Sequence, residues 1–274
     1  MNQNINECLR KGDKEIPFGY TSIAEIDGVH SDMLMDFGTL RMKKGDVFEE
    51  EKDLECAYLL VSGEVKFSWC GKEQVASRGN CFDDGAWVLH VPAGTKIKIT
   101  GIGEDSELTV HRTVNTTKFE PKLFAPEDTP TEYRGVGTMK ETCTRVLRTF
   151  FDKSNAPWSN LILGEVINYP GKWSSFPPHD HPQPEIYYYK INPSNGYGFS
   201  ELGDNVLKVH NNDTVFIDGV THPQIATPGH ALWYMWVIRH LDDNPYITPH
   251  FLEEFDYLRN PDTTIWPDGK IRQY

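Results

Sequence analysis

Short runs of β-branched and aromatic residues, cut by Gly, Pro, Asn or Asp, recur along the whole of this chain. In the first half they include CAYLLVSGEVKFSWCGKE (56–73), AWVLHVPAGTKIKITG (86–101) and ELTVHRTV (107–114). In the second half they include RVLRTFF (145–151), NLILGEVINYPG (160–171), EIYYYKI (185–191), TVFIDG (214–219) and HALWYMWVIRH (230–240). Long amphipathic helical patterns are scarce, and 22 Gly and 18 Pro supply the punctuation. Closely spaced short strands with turn signals between them predict an all-β sandwich or barrel.

The halves echo each other, which predicts two barrels in tandem. VLHVPAGTKIKI (88–99) resembles TVFIDGVTHPQI (214–225), each an apolar strand, a tight turn with Gly94 or Gly219, and a second strand. LLVSGEVKF (59–67) matches YYYKINPSNGYGF (187–199) in the same way. The polar, proline-rich stretch 114–135 reads as the connection. The expected domains are 1–120 and 135–274, joined around 115–140, with 248–261 as a short helix packed outside.

A chain of 274 residues with 38% hydrophobic residues can bury such cores. Its 27 Lys and Arg against 40 Asp and Glu give a net charge of −13. That excludes a nucleic-acid binder, which needs a basic face, and disfavours an anionic membrane. It permits a small anionic substrate, because a few local cations outweigh a distant acidic surface. Five cysteines, an odd number without a CxxC pair, fit a reducing compartment. With a polar N-terminus and no apolar run near the ~18 residues of a membrane helix, a cytoplasmic location is expected. Homo-oligomerisation is expected as well.

The stretch FPPHDHPQPEIYYYK (176–190) concentrates the chemistry. Residues two apart on a strand share a face, so His179 and His181 point the same way. Glu185, Tyr187 and Tyr189 keep that parity if the strand stays regular, although Pro182 and Pro184 interrupt the ladder. Imidazole and carboxylate suit Zn, Mn, Fe, Ni or Co. A further ligand from a distant strand is expected, and His222, three residues past Gly219, is the natural candidate.

This pattern resembles the paired motifs of the cupin family, G-x5-H-x-H-x3,4-E-x6-G and G-x5-P-x-G-x2-H-x3-N. The resemblance implies His179, His181, Glu185 and His222 as metal ligands. It is looser than the family pattern at Gly196, ten residues past Glu185, and Ile217 and Ala226 replace the family's Pro and Asn. The first half looks like a cupin without a metal: it keeps Pro92 and Gly94, has Ile97 where a ligand would stand, and has no HxH. His90 reads there as a strand-end histidine.

A narrower resemblance is to the 5-deoxy-glucuronate isomerases of inositol catabolism. It rests on KWSSFPPH (172–179), EIYYYKINP (185–193) and GVGTMKETCTRVLRTFF (135–151). Only PQP stands where that family often inserts an acidic stretch, and LWYMWVIRHLDDNPY (232–246) differs from its usual ending. The resemblance implies an aldose–ketose isomerase that converts 5-deoxy-glucuronate to 5-dehydro-2-deoxy-gluconate. It also implies a divalent metal, Zn or Mn before Fe, Ni or Co, as Lewis acid, and a second group that shuttles the proton. Glu185, Tyr187, Tyr189 and Arg239 are the expected catalytic residues. Arg239, Arg148 and Lys190 are candidates to hold the uronate carboxylate, which Arg pairs bidentately. Trp173 is expected at the barrel lip and Asp180 in solvent. Competing expectations are a deoxy-ketouronate ketol-isomerase, a metal-dependent cupin dioxygenase and a non-catalytic sugar-binding protein.

Overall fold

The computed structural model describes Ile5 and residues 7–266. They form two jelly-roll barrels in tandem, as the repeated strand pattern predicts. In the first barrel the larger sheet runs, from edge to edge, Lys122–Phe124, Val88–Val91, Glu55–Trp69, Ser106–Thr113, Asp36–Met42 and Gly19–Ala24. The long strand Glu55–Trp69 passes Gly63 at φ 99° and continues into a second layer, where it pairs with Lys72–Arg78 and Lys96–Gly101. In the second barrel the larger sheet runs Leu9–Arg10, Thr214–Ile217, Glu185–Asn192, Ala231–Arg239, Leu161–Asn168, Arg145–Phe151 and Glu132–Arg134. Its smaller layer is Trp173–Ser174, Gln224–Ala226, Gly198–Leu202 and Asn205–Val209.

The internal echo is a repeat of topology. Leu59 lies opposite Val88, and Tyr188 opposite Thr214. Gly94 and Gly219 both adopt left-handed backbone, φ 80° and 65°, at the turns that follow. Such turns favour glycine because it has no Cβ to clash.

Two short edge strands pair outside the ranges expected for the barrels they close. Leu9 and Arg10 pair with Val215 and Thr214, so the N-terminal segment closes the edge of the second barrel. Gly12 N–H and Lys11 Nζ both bond Asp213, 2.9 Å each, and hold it there. Conversely, Lys122–Phe124, inside the expected connection, closes the edge of the first barrel against Val88–His90. Each exchange covers an otherwise unpaired strand edge.

Period-two alternation sorts the side chains into three cores. Tyr58, Leu60, Leu89 and Val110 fill the first barrel. Tyr189, Ile191, Val215 and Tyr234 fill the second. The opposite faces of the two large sheets, with Phe37, Ala57 and Leu59 on one and Ile186, Tyr188, Trp233 and Met235 on the other, pack together as the largest core. The strands are therefore buried on both faces. Buried charges on this interface are paired: Glu165 accepts from Arg78 Nη2 at 2.8 and 2.9 Å, Arg148 Nη1 at 2.7 Å and Trp233 Nε1 at 2.9 Å. No described helix is long and apolar enough to cross a membrane.

The segment expected as an external helix does more than decorate the surface. His250–Phe251 pairs with His179–Asp180, and the 3-10 helix Glu253–Arg259 follows.

Candidate active site

The second barrel holds a cavity of about 370 Å³ at its mouth. Strand parity builds its floor. Glu185 and Tyr187 face it from the central strand, Tyr234, Trp236 and Ile238 from the next, and Arg145, Leu147 and Thr149 from the strand beyond the neighbouring one. The loops carrying His179, His181 and His222 form one wall, and Tyr246 to Pro249 another.

His181, Glu185 and His222 converge: one potential ligand atom from each lies within 4.8 Å of the others. Glu185 Oε2 is 3.2 Å from His181 Nε2 and 3.4 Å from His222 Nε2. All three are buried. His179 sits at the rim of this trio, its ring edge-on to His222 with centroids 4.9 Å apart.

The ring orientations are fixed from behind. Nδ1 of His179, His181 and His222 lies 3.1, 3.0 and 2.8 Å from the carbonyls of Pro177, Gln183 and Val220. An Nδ1–H donated to a carbonyl leaves the lone pair on Nε2, the arrangement found behind metal-ligating histidines. Burial holds His179 and His222 neutral, each down to about 4. The His222 lone pair then meets the Glu185 carboxylate with no hydrogen between them. A cation resolves that repulsion. Metal–ligand bonds of about 2.0–2.2 Å place neighbouring ligand atoms roughly 3–3.5 Å apart, which the Glu185 contacts match. The residues present fit a divalent metal.

Of the other predicted residues, Tyr187 lines the cavity and packs on Tyr234 with ring centroids 4.5 Å apart. Both hydroxyls lie 3.4 Å from Ser175 Oγ. Burial raises Tyr187 well above the ordinary tyrosine range and Tyr234 to about 12, so both keep their protons at neutral pH. Tyr189 shares their face but sits deeper, its hydroxyl donating to Gln224 Oε1 at 2.7 Å, outside the cavity lining. Trp173 packs against Phe176, and Asp180 accepts from His250.

Arg239 is corrected. It shares its strand face with Trp233, Met235 and Val237, which belong to the barrel–barrel core. Its guanidinium bonds Thr113, His240 O and Asp242 and does not line the cavity. The same parity removes the other two carboxylate-holding candidates: Arg148 pairs with Glu165, and Lys190 with Glu107 at 2.6 Å. Sequence reasoning missed Arg145, Ser175, Tyr234 and the wall 246–249. Parity along RVLRTFF and ALWYMWVIR was the signal that could have found Arg145 and Tyr234.

The equivalent place in the first barrel is plugged. By register Cys56 stands where Glu185 does. Ile97 is buried in the apolar core. Arg112 forks onto both oxygens of Glu50 at 2.9 and 2.7 Å and also bonds Tyr20. His90 lies apart from it, between Glu55 Oε1 at 2.7 Å and the face of Phe151.

Residues 13–258 match the KduI/IolB family. The chain belongs to that family. Among its curated relatives, the 5-deoxy-glucuronate isomerase of Geobacillus kaustophilus (strain HTA426) is 27% identical over 219 residues, 72% of this chain and 76% of the relative. That of Bacillus subtilis (strain 168) is 24% identical over 258 residues, covering 85% and 92%. An IolB-like protein from Salmonella typhimurium LT2 superimposes with a TM-score of 0.82 at 20% identity, over 92% of this chain and 99% of that one. Lactobacillus farciminis oxalate decarboxylase gives 0.66 at 11% identity, over 90% and 89%. These likenesses establish the cupin fold of this KduI/IolB chain, with its two barrels, as the motif spacing implied.

Proposed function

We propose that this chain is an aldose–ketose isomerase acting on 5-deoxy-glucuronate to give 5-dehydro-2-deoxy-gluconate. The observation that carries the reading is the buried convergence of His181, Glu185 and His222 on a cavity floored by Tyr187 and Tyr234. The curated relatives named above bear the isomerase name across most of their length. That name favours isomerisation of 5-deoxy-glucuronate over the oxygenase, ketouronate-isomerase and sugar-binding alternatives.

Moving a hydrogen between C1 and C2 builds negative charge on the adjacent oxygens. A divalent ion, Zn or Mn, held by His181, Glu185 and His222 with His179 beside them, would supply Lewis-acid stabilisation of that charge. Tyr187, protonated at neutral pH, offers an O–H donor toward the reacting oxygens, and the Ser175–Tyr234 hydroxyls behind it form a path for a proton. Tyr246, with its ring 4.9 Å from that of His181, and Phe251, 5.4 Å from His179, shield the site from water. A cytoplasmic, homo-oligomeric enzyme accompanies this reading, and light scattering tests its assembly.

The test is incubation of Zn- or Mn-loaded protein with 5-deoxy-glucuronate, followed by NMR in D₂O and with an oxygen electrode. Ketose signals without oxygen uptake support the proposal. No conversion, or conversion that consumes oxygen, overturns it.

A further inference from the structure

Arg145 opens the strand Arg145–Phe151 and shares its face with Leu147 and Thr149, the face that lines the cavity. Its one side-chain hydrogen bond among the described residues is from Nη1 to the Cys143 carbonyl at 3.0 Å. No described carboxylate pairs with it. This sets it apart from five other cations of the fold. Arg78 and Arg148 share Glu165, Arg112 holds Glu50, Lys190 holds Glu107, and Arg239 reaches Asp242. Of the remaining cations of the cavity, Arg134 pairs with Glu132 at 3.0 Å, and Lys153, also without a carboxylate, has its Nζ held by two carbonyls, those of Pro157 and Ser159.

A guanidinium carries five donors, and Arg145, half-buried beside apolar strands without an anion, leaves part of its desolvation cost uncompensated. Burial lowers Arg145 from the ordinary arginine value, with no nearby carboxylate among the causes to restore it. It lines the same cavity as Tyr234 and the metal-ligand cluster. That space also lies inside a net negative chain, where an anionic ligand needs a local cation.

We infer that Arg145 is the carboxylate anchor of the cavity: it pairs with the acid group of a short polyhydroxy acid whose other end reaches the His181–Glu185–His222 cluster. The inference rests on the isomerase reading for the identity of the sugar, but not for the charge selection itself. It makes Arg145 the residue that separates a uronate from the neutral sugar of the same length. The carboxylate takes two N–H donors in the fork geometry that Lys cannot reproduce.

The experiment compares wild type, Arg145→Gln and Arg145→Lys, each loaded with Zn and checked for metal content and melting temperature. Two readouts are taken: kinetics with 5-deoxy-glucuronate, and calorimetric binding of D-glucuronate against D-glucose. Wild type is expected to bind glucuronate and to prefer it over glucose. Arg145→Gln is expected to weaken glucuronate binding and raise KM on the order of 10- to 100-fold, the loss of a charged hydrogen-bonded pair, with metal content unchanged. Arg145→Lys is expected to fall between the two, which a purely structural role would not produce. If wild type shows no isomerisation but glucuronate binding still depends on Arg145, the isomerase reading fails and the anchor stands. If wild type isomerises and folded Arg145→Gln, or Arg145→Lys should the former not fold, keeps wild-type KM and affinity, the anchor is overturned. Equal binding of glucose and glucuronate by wild type overturns it as well.

Discussion

Tyr187 and Tyr188 are consecutive on one strand, and their hydroxyls serve opposite faces of the sheet. Tyr187 lines the cavity with its ring 5.9 Å from His222, whereas Tyr188 reaches across the barrel–barrel core to Glu107 Oε1 at 2.8 Å. Tyr187→Phe is therefore expected to lower kcat on the order of 100-fold, the lower range for a lost general acid–base group, with bound metal retained. Tyr188→Phe is expected to leave kcat near wild type and to lower stability by about 1–3 kcal/mol, the loss of a hydroxyl shared between the Glu107 carboxylate and Asn212. Steady-state kinetics and denaturant melts of both variants decide it. Equal kcat in the two would remove Tyr187 from the chemistry.

The same strand shows what a sequence can and cannot disclose. HDHPQPE and DGVTH carry the cluster because ligand type and spacing are local, and both lie on segments that the fold brings together by repeated topology. The sequence offers Arg239, Arg148 and Lys190 as single residues, without their strand faces. Parity on their strands sends all three to the barrel–barrel face, and a face buried by a second barrel looks the same in sequence as one lining a cavity. Two features had no local signal. Leu9–Arg10 is too short to read as a strand, and its partner Thr214–Ile217 lies some two hundred residues away. The cavity wall 246–249 sits in a polar loop whose position depends on the pairing of His250–Phe251 with His179–Asp180.

The trio of convergent ligand atoms makes a graded prediction for metal binding. His181→Ala and His222→Ala are expected to lower metal affinity by at least the roughly 10- to 100-fold that follows loss of a ligand's outer partner. His179→Ala, at the rim, is expected to lose affinity by less, with activity reduced in all three. Circular dichroism should remain that of wild type, because these rings line the cavity wall. Elemental analysis after dialysis is the measurement, and full stoichiometry in His222→Ala would exclude it as a ligand.

Glu165 ties the halves together. It and Arg78 are both fully buried, 0% exposed, and it also accepts from Arg148 and Trp233. Glu165→Ala strands the Arg78 charge at the barrel–barrel core, which is expected to cost about 3–5 kcal/mol. Trp233 fluorescence should shift as its indole N–H loses its acceptor. Urea unfolding measures the first effect, and a loss under about 1 kcal/mol would show that the cluster adds little to the union of the barrels.

Acid sensitivity should trace in part to His111. The ring is 0% exposed, its Nε2 is 2.9 Å from Thr109 Oγ1, and its Nδ1 has no partner among the described residues. Burial, with the neighbouring Arg112 charge adding to it, lowers the imidazole from 6.5 to about 3. Above pH 6.5 the folded and unfolded chains both carry it neutral, and it contributes nothing to pH dependence. Below 6.5 the unfolded chain binds a proton that the folded chain refuses until about pH 3. Stability must therefore fall as pH drops through that window, by about 2 kcal/mol at pH 5 from this group. His240, lowered to about 4 chiefly by burial, acts in the same direction. His111→Gln keeps a polar side chain without a titrating ring and is expected to flatten the acid limb. Melting temperatures of Zn-loaded wild type and variant from pH 7.5 to 4.5 test this. Parallel curves for the two proteins would mean that the acid limb belongs to other groups.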